Sequence, residues 1–169
     1  SIGHSVDHLK GKDIDLLVYS SAISSNNPEL LYAEEAGIPM AKRAEILSMI
    51  FNKNFGIGVA GAHGKTTTSS MTAFVLESAG MSPSVAIGGE LCDIGGNAKL
   101  GQSNYMVAEL DESDGSFELF QCSIGIITNI DWDHVDHYPD IASVQDGFHR
   151  FLENTKEGST LVLCAADRG

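Results

Sequence analysis

The feature that most constrains this chain is a glycine-rich turn between an apolar strand and a helical segment. Residues 58–68 read GVAGAHGKTTT. The apolar run 55–60 predicts a buried strand, and residues 65–78 predict a helix. Glycines let backbone N–H groups approach an anion, and a helix N-terminus adds the positive end of its dipole. The segment therefore predicts an α/β fold with a phosphate-binding loop.

Two side chains of this loop suit nucleotide chemistry. Lys65 can reach terminal phosphates, and the Thr66 hydroxyl can ligate Mg²⁺. The spacing departs from the standard phosphate loop, because Val59 stands where that loop has its first glycine. The alternative is a tight strand–helix turn with an incidental lysine. The strand before the loop and the helix after it favour phosphate binding.

Strands and helices alternate along the rest of the chain. The apolar runs predict strands at residues 14–19, 38–41, 55–60, 84–87, 105–109, 124–128 and 160–164. Helices are predicted from Pro28, where Asn26 and Asn27 supply the cap, at residues 43–54, at 65–78 and at 141–154. This order favours a mostly parallel sheet flanked by helices on both faces. In the helix after the glycine loop, Met71, Phe74 and Val75 have the spacing of a core-facing stripe.

A second motif, VAELDESDGSF at residues 107–117, follows a predicted strand. In open parallel sheets, ligands bind at the carboxyl ends of the strands. Glu109 lies at that end, so we expect it to face a Mg²⁺ ion held at the phosphates. Asp111, Glu112 and Asp114 are equally consistent with functional side chains and with helix caps or solubilising charges.

A third motif, TNIDWDHVDHYPD at residues 128–140, follows the next predicted strand. Carboxylate oxygens and imidazole nitrogens suit a divalent cation. The same residues can also cap turns. His134 is the strongest candidate, because Lys65 and Glu109 are expected at the same sheet edge. The acidic and imidazole side chains of the motif are Asp131, Asp133, His134, Asp136 and His137.

Charge and composition exclude several classes of partner. The 23 acidic and 10 basic residues give a net charge of −13, which disfavours nucleic acid and anionic membrane surfaces. No apolar run approaches the roughly 20 residues that span a bilayer. The three cysteines form no CxxC pair, and no secretory signal is visible. We therefore expect reduced thiols in a cytoplasmic protein.

The three motifs in this order resemble those of the Mur ligases of peptidoglycan synthesis. The segment SSAISSNNPELLYAEEAGIPMAKRAEIL, residues 20–47, resembles the family's passage from the UDP-binding domain into the linker. The family has a UDP-sugar domain, a central ATPase domain and a C-terminal domain. The resemblance implies that residues 1–52 are the end of a Rossmann-like UDP-binding domain. Residues 53–169 would be most of the P-loop-type central domain, and the third domain would lie outside this sequence.

The resemblance also implies a reaction, an ATP- and Mg²⁺-dependent amide ligation. The lactyl carboxylate of UDP-N-acetylmuramate would attack the γ-phosphate of ATP to give an acyl phosphate, and L-alanine would displace the phosphate. By this comparison Lys65 binds the β- and γ-phosphates and Thr66 ligates the first Mg²⁺. Glu109 would bridge two metal ions, and His134 would ligate the second.

Further residues follow from the same resemblance. Asn129 corresponds to an asparagine near the nucleotide, and Ser20 and Ser21 to contacts with the UDP-sugar, although the two serines alone favour a turn. Between Tyr138 and Thr155 the sequence has no lysine that could be carbamylated, as in ligases later in the pathway. The candidate ATP-binding residues are Gly61, Ala62, His63, Gly64, Lys65, Thr66, Thr67 and Asn129.

Three alternatives remain open at this stage. The first is the related ligase that recycles a tripeptide onto UDP-N-acetylmuramate. The second is a Mg·ATP-binding module without turnover. The third is a metal-dependent hydrolase built on Asp131, Asp133, His134 and His137, which would leave Lys65 without a role.

Overall fold

The computed structural model describes residues 3–91, 96–133 and 137–167, and the chain divides into two compact units, residues 1–47 and 48–169. The boundary falls inside a helix, α2, at Arg43–Asn52. The sequence predicted a domain boundary after residue 52, and that domain assignment stays a prediction.

The first unit contains a short parallel strand pair around one helix. Its elements are β1 at Leu17–Tyr19, α1 at Pro28–Glu35 and β2 at Met40–Lys42. The Asn27 side chain accepts a hydrogen bond from the backbone N–H of Glu29 at 2.8 Å and begins α1, as the sequence predicted. β1 is shorter than the predicted strand from residue 14, because β2 pairs with only three of its residues.

The second unit contains, among the described residues, a six-stranded sheet in the order β5-β4-β6-β3-β7-β8. All its pairings are parallel except β4 with β5, so the predicted mostly parallel sheet is confirmed. The sequence missed β5, whose residues GNAK lack a strand pattern and are extended through their pairing with β4. The strands are β3 at Phe55–Ala60, β4 at Ser84–Leu91, β5 at Gly96–Lys99, β6 at Tyr105–Glu109, β7 at Ile124–Ile127 and β8 at Thr160–Leu163.

Helices cover both faces of this sheet. α3 at Lys65–Ser78 packs on β3, β4 and β6, and Ala73 completes an apolar cluster with side chains of these strands. The other face is covered by α2 and by α4, at Ile141–Glu153. There a Cβ on Gly56 of β3 would collide with the Phe51 ring of α2, and a Cβ on Gly125 of β7 would lie 3.9 Å from Phe151 of α4. The predicted arrangement of helices on both faces is therefore confirmed.

The predicted core-facing stripe of α3 is wrong. Met71, Phe74 and Val75 are 64%, 56% and 63% exposed, and the buried face carries Ser69 and Ala73 instead. Small side chains let the helix axis approach the sheet closely, and Ser69 donates its hydroxyl hydrogen back to the Lys65 carbonyl at 2.8 Å. The helical period was correct, but periodicity alone does not say which side of a helix meets the sheet.

Candidate functional site

The glycine loop joins β3 to α3 and has a conformation that only glycine adopts readily at two positions. Gly61 has φ +127° and Gly64 has φ +81°. A Cβ on Gly61 would also collide with the Thr128 hydroxyl and lie 2.7 Å from the Asn129 carbonyl oxygen. The loop therefore runs tightly over the segment after β7, and its backbone leads directly into the N-terminus of α3.

The Lys65 ammonium group lies across this loop and contacts three acceptors. It donates to the Gly61 carbonyl at 2.7 Å, to the Ala62 carbonyl at 3.3 Å and to Glu112 Oε1 at 2.9 Å. The side chains of Lys65 and Glu112 are only 14% and 4% exposed, so the ion pair is largely removed from water. Glu112, for which the sequence left caps and function equally open, is thus a direct partner of the lysine.

Glu109, at the end of β6, is fixed from two sides. Thr66 donates its hydroxyl hydrogen to Oε1 at 3.0 Å, and the backbone N–H of Gly88 donates to Oε2 at 2.8 Å. β6 pairs with β3 on one side and with β4 on the other, so the sheet itself brings these three residues together. The structure thus places Glu109 beside Thr66, as the sequence motifs led us to expect.

The donor chemistry of this pair fits a divalent cation. A hydroxyl and a carboxylate are the hard oxygen ligands that Mg²⁺ takes beside phosphate and water oxygens. Among residues 3–91, 96–133 and 137–167, no group of three or more His, Cys, Asp or Glu side chains is arranged to hold a metal ion. Thr66 and Glu109 would therefore hold Mg²⁺ together with other ligands. The predicted ligand His134 lies outside the described residues, as does Asp136.

Asn129, just after β7, clamps the glycine loop. Its Oδ1 accepts from the His63 backbone N–H at 2.9 Å, and its Nδ2 donates to the His63 carbonyl at 2.8 Å. The Thr128 hydroxyl donates to the same carbonyl at 2.7 Å. Asn129, which the resemblance placed near the nucleotide, thus shapes the loop backbone. Thr67 lies exposed in the first turn of α3.

Tyr138 fixes the loop that carries Glu112. Its buried hydroxyl donates to the Glu112 carbonyl at 2.9 Å, and the Trp132 indole N–H donates to the Tyr138 carbonyl at 3.0 Å. Burial, together with the nearby carboxylates of Glu118 and Glu112, raises the pKa of Tyr138 to about 12. The phenol is therefore protonated at neutral pH and serves as a stable donor between the second and third motifs.

The described acidic and imidazole residues of the third motif do not form one cluster. Asp131 is exposed, and its Oδ2 lies 3.8 Å from His63 Nε2. The His137 ring packs edge-on against the Tyr138 ring, with the ring centroids 4.5 Å apart. The metal-dependent hydrolase built on this motif gains no support from the part of the chain that the structure describes.

Ser20 and Ser21 lie in the first unit, directly after β1. The Ser20 hydroxyl oxygen accepts a hydrogen bond from the Ala22 backbone N–H at 3.3 Å, which is the turn that the sequence favoured. Ser21 is exposed and lines a cavity with residues of β1, α1 and β2. Their contact with a UDP-sugar stays a prediction.

Sequence reasoning missed three residues that support the site. Gly88 holds Glu109, Thr128 holds the glycine loop, and Tyr138 holds the loop of Glu112. Gly88 had a readable signal, since a Gly-Gly pair in a strand indicates a close approach by another group. The other two act through hydrogen bonds to backbone carbonyls of distant segments, which leave no pattern in the sequence.

Family models match nearly the whole chain. The Mur ligase middle domain matches residues 59–168, and the Mur ligase family catalytic domain matches residues 1–54. The chain belongs to the Mur ligase family. Within this family, the glycine loop, Glu109 and Asn129 all lie in the segment that matches the middle domain.

Two relatives that match most of this chain are named as ligases of UDP-N-acetylmuramate and L-alanine. The UDP-N-acetylmuramate–L-alanine ligase of Desulforamulus reducens is 47% identical over 99% of this chain and 36% of its own length. The crystal structure of the UDP-N-acetylmuramate–alanine ligase of Thermotoga maritima matches with a TM-score of 0.86 and 32% identity, over 98% of this chain and 38% of that one. The chain thus spans little more than a third of these two Mur ligases.

A ligase whose name gives a different amine substrate also matches. The UDP-N-acetylmuramate:L-alanyl-γ-D-glutamyl-meso-diaminopimelate ligase of Neisseria meningitides has a TM-score of 0.82 and 27% identity. The match covers 91% of this chain and 53% of that one.

No helix within the described ranges is long and apolar enough to cross a membrane.

Proposed function

We propose that this chain is the nucleotide-handling part of a UDP-N-acetylmuramate–L-alanine ligase that uses ATP and Mg²⁺. The observation that carries the proposal is the meeting of Lys65, Thr66 and Glu109 at one sheet edge, directly after the glycine loop. Phosphoryl transfer needs mainly positioning and neutralisation of charge, and these residues supply a cation, metal-binding oxygens and backbone N–H groups. The name of the ligase in Desulforamulus reducens supports the substrate assignment.

The residues then have distinct tasks. Lys65 binds the β- and γ-phosphates, and the backbone N–H groups at the start of α3 bind phosphate oxygens. Thr66 and Glu109 hold Mg²⁺, which supplies charge neutralisation at the phosphates when bound. Asn129 keeps the loop in shape through its two hydrogen bonds with His63. Ser20 and Ser21 contact the UDP-sugar, and His134 joins the metal site.

The order of bond changes is the one that the resemblance to the Mur ligases implies. The lactyl carboxylate of UDP-N-acetylmuramate attacks the γ-phosphorus, and ADP leaves with the electrons of the broken P–O bond. The amino group of L-alanine attacks the resulting acyl phosphate, phosphate leaves, and the amine loses a proton. Among these steps, Lys65 acts on the first by binding the transferring phosphoryl group and its leaving phosphate.

The test is phosphate release by the full-length gene product, dependent on ATP, UDP-N-acetylmuramate and L-alanine. Lys65→Gln removes the charge but keeps a donor for Glu112, so we expect turnover to fall at least about a hundredfold with the fold retained. Lys53→Gln is the matched control, since Lys53 is an exposed lysine before β3. Unchanged turnover in a folded Lys65→Gln variant would exclude the assignment of Lys65.

The amine substrate is tested separately. L-alanine and the tripeptide L-alanyl-γ-D-glutamyl-meso-diaminopimelate are offered in parallel, with the same UDP-N-acetylmuramate and Mg·ATP. We expect turnover with L-alanine. Turnover with the tripeptide alone would assign the chain to the recycling ligase instead, and ATP binding without turnover on either amine would leave a nucleotide-binding module.

A further inference from the structure

The Lys65–Glu112 pair is the group in the site that the proposed reaction does not explain. An ammonium has three hydrogens. Lys65 directs them at the Gly61 carbonyl, the Ala62 carbonyl and Glu112 Oε1. All its donors therefore have protein acceptors, and a phosphate oxygen can gain a hydrogen bond from Lys65 only by replacing one of them.

Glu112 is built into this position. It is buried, and Tyr138 and the Gly115 backbone N–H both donate to its carbonyl, at 2.9 Å and 3.0 Å. The neighbouring Asp111, by contrast, is exposed, and its Oδ1 accepts from the Ser113 backbone N–H at 3.0 Å. The loop thus holds one carboxylate against the lysine and leaves the next in solvent.

The carboxylate is the acceptor that competes most strongly with phosphate. A charge-assisted hydrogen bond is about twice as strong as one to a neutral carbonyl, and removing the cation from a buried carboxylate costs free energy. A nucleotide phosphate that takes Lys65 must overcome both effects. The same effects favour the return of Lys65 to Glu112 when the product leaves.

We propose that Glu112 is a positioning residue that competes with the nucleotide for Lys65, so that it weakens the binding of ADP and speeds its release. The inference rests on the proposed function, because it requires that Lys65 binds nucleotide phosphates. It assigns Glu112 an effect on the release of ADP, which Glu112 exerts through its contact with Lys65.

The experiment compares variants of the full-length gene product with Mg·ADP as the probe. Glu112→Gln removes the charge but keeps an acceptor oxygen for Lys65. Glu112→Asp keeps the charge, but its side chain is one methylene shorter, so the carboxylate lies farther from the Lys65 ammonium. Asp111→Asn is the matched control, since it removes an exposed charge from the same loop. Equilibrium titration gives the Kd, and stopped-flow displacement of a fluorescent ADP gives the dissociation rate.

We expect Glu112→Gln to bind Mg·ADP roughly three- to tenfold more tightly, mainly through slower dissociation. Glu112→Asp should shift both quantities in the same direction by less, and Asp111→Asn should match the wild type. A merely structural role predicts the reverse, because a disturbed loop weakens binding. If the Gln variant fails to fold, as judged by its thermal midpoint, Glu112→Asp carries the test.

The outcomes separate this inference from the proposed function. Unchanged or weaker binding in the folded Glu112 variants overturns the inference while the wild type still binds Mg·ADP. An equal gain in Mg·ADP affinity in Asp111→Asn overturns it too, because removing any negative charge from this loop would then have the same effect. A wild type that does not bind Mg·ADP, or binding that Lys65→Gln leaves unchanged, overturns the proposed function, and the inference falls with it.

Discussion

Glu29 is a strongly perturbed carboxylate, and it lies far from the glycine loop in sequence. His4 Nδ1 and His8 Nδ1 lie 2.8 Å and 2.6 Å from its two oxygens. These hydrogen bonds lower the pKa of Glu29 from 4.5 to about 2. Glu29 also stands in the first turn of α1, where a negative charge is favoured. The Glu29 side chain therefore links the segment that carries His4 and His8 to α1.

The consequence at the residue scale is a loss of stability in acid. Because the folded pKa of Glu29 lies below the unfolded one, its contribution is present above pH 4.5 and is lost as the pH falls toward about 2. We expect the free energy of unfolding to decrease less steeply across this range in Glu29→Gln than in the wild type. Thermal midpoints at a series of pH values measure this.

A matched carboxylate makes the result specific to Glu29. Glu35 ends the same helix and is exposed, so Glu35→Gln removes a charge without touching His4 or His8. Its pH profile should follow that of the wild type. Parallel profiles for Glu29→Gln and the wild type would show that the two imidazoles do not hold the carboxylate in solution.

At the scale of elements, two glycines in the strands on either side of β6 have different roles, one at the candidate site and one in the core. A Cβ on Gly88 of β4 would lie 2.9 Å from Glu109 Oε1, at the end of a flexible side chain. A Cβ on Gly58 of β3 would lie 2.5 Å from Cys122 Sγ and 2.6 Å from Leu110 Cδ1, both in the core. The same substitution therefore meets a movable carboxylate in one strand and packed side chains in the other.

We expect Gly88→Ala to displace Glu109 and to reduce turnover by about tenfold or more, with little change in the thermal midpoint. Gly58→Ala should instead destabilise the fold by about 1–3 kcal/mol, because the added methyl overpacks the core. Turnover and denaturant unfolding, measured on both variants, give the comparison. A fully active Gly88→Ala variant would show that the position of Glu109 does not depend on this close approach.

At the scale of the whole molecule, the candidate residues divide between the two units. The glycine loop, Glu109, Glu112 and Asn129 lie in residues 48–169, whereas Ser20 and Ser21 lie in residues 1–47. A bound ligand stabilises the part of a protein that holds it. We therefore expect Mg·ADP to slow amide hydrogen exchange in the segment 58–68 and in the first turn of α3, with little change in residues 3–47.

Hydrogen exchange followed by mass spectrometry measures this pattern peptide by peptide. Lys65→Gln serves as the control, because protection that depends on the lysine should disappear in that variant. Protection that appears first in residues 3–47 would contradict the assignment of nucleotide binding to the second unit. A UDP-sugar, offered in place of Mg·ADP, should protect residues near Ser21 instead.

Several elements followed from the sequence alone because their signals are local. The bounds of α3, the cap at Asn27 and the placement of Glu109 at a strand end come from periodicity, capping chemistry and strand length. The placement of Lys65 and Glu109 at the same sheet edge also followed, since parallel strands bring their carboxyl ends together. The family was indicated by the resemblance of the three motifs, in their order, to those of the Mur ligases.

Only the tertiary structure decided which partners these residues have. The Gly88 N–H on Glu109 and the contact of Lys65 with Glu112 join segments distant in sequence. The outward orientation of the stripe on α3 and the formation of β5 depend on how each element packs or pairs. A helical period defines a face but not its neighbour, and a strand such as β5 exists only through its pairing. Sequence therefore determined the elements and the chemistry available, and packing determined which groups meet.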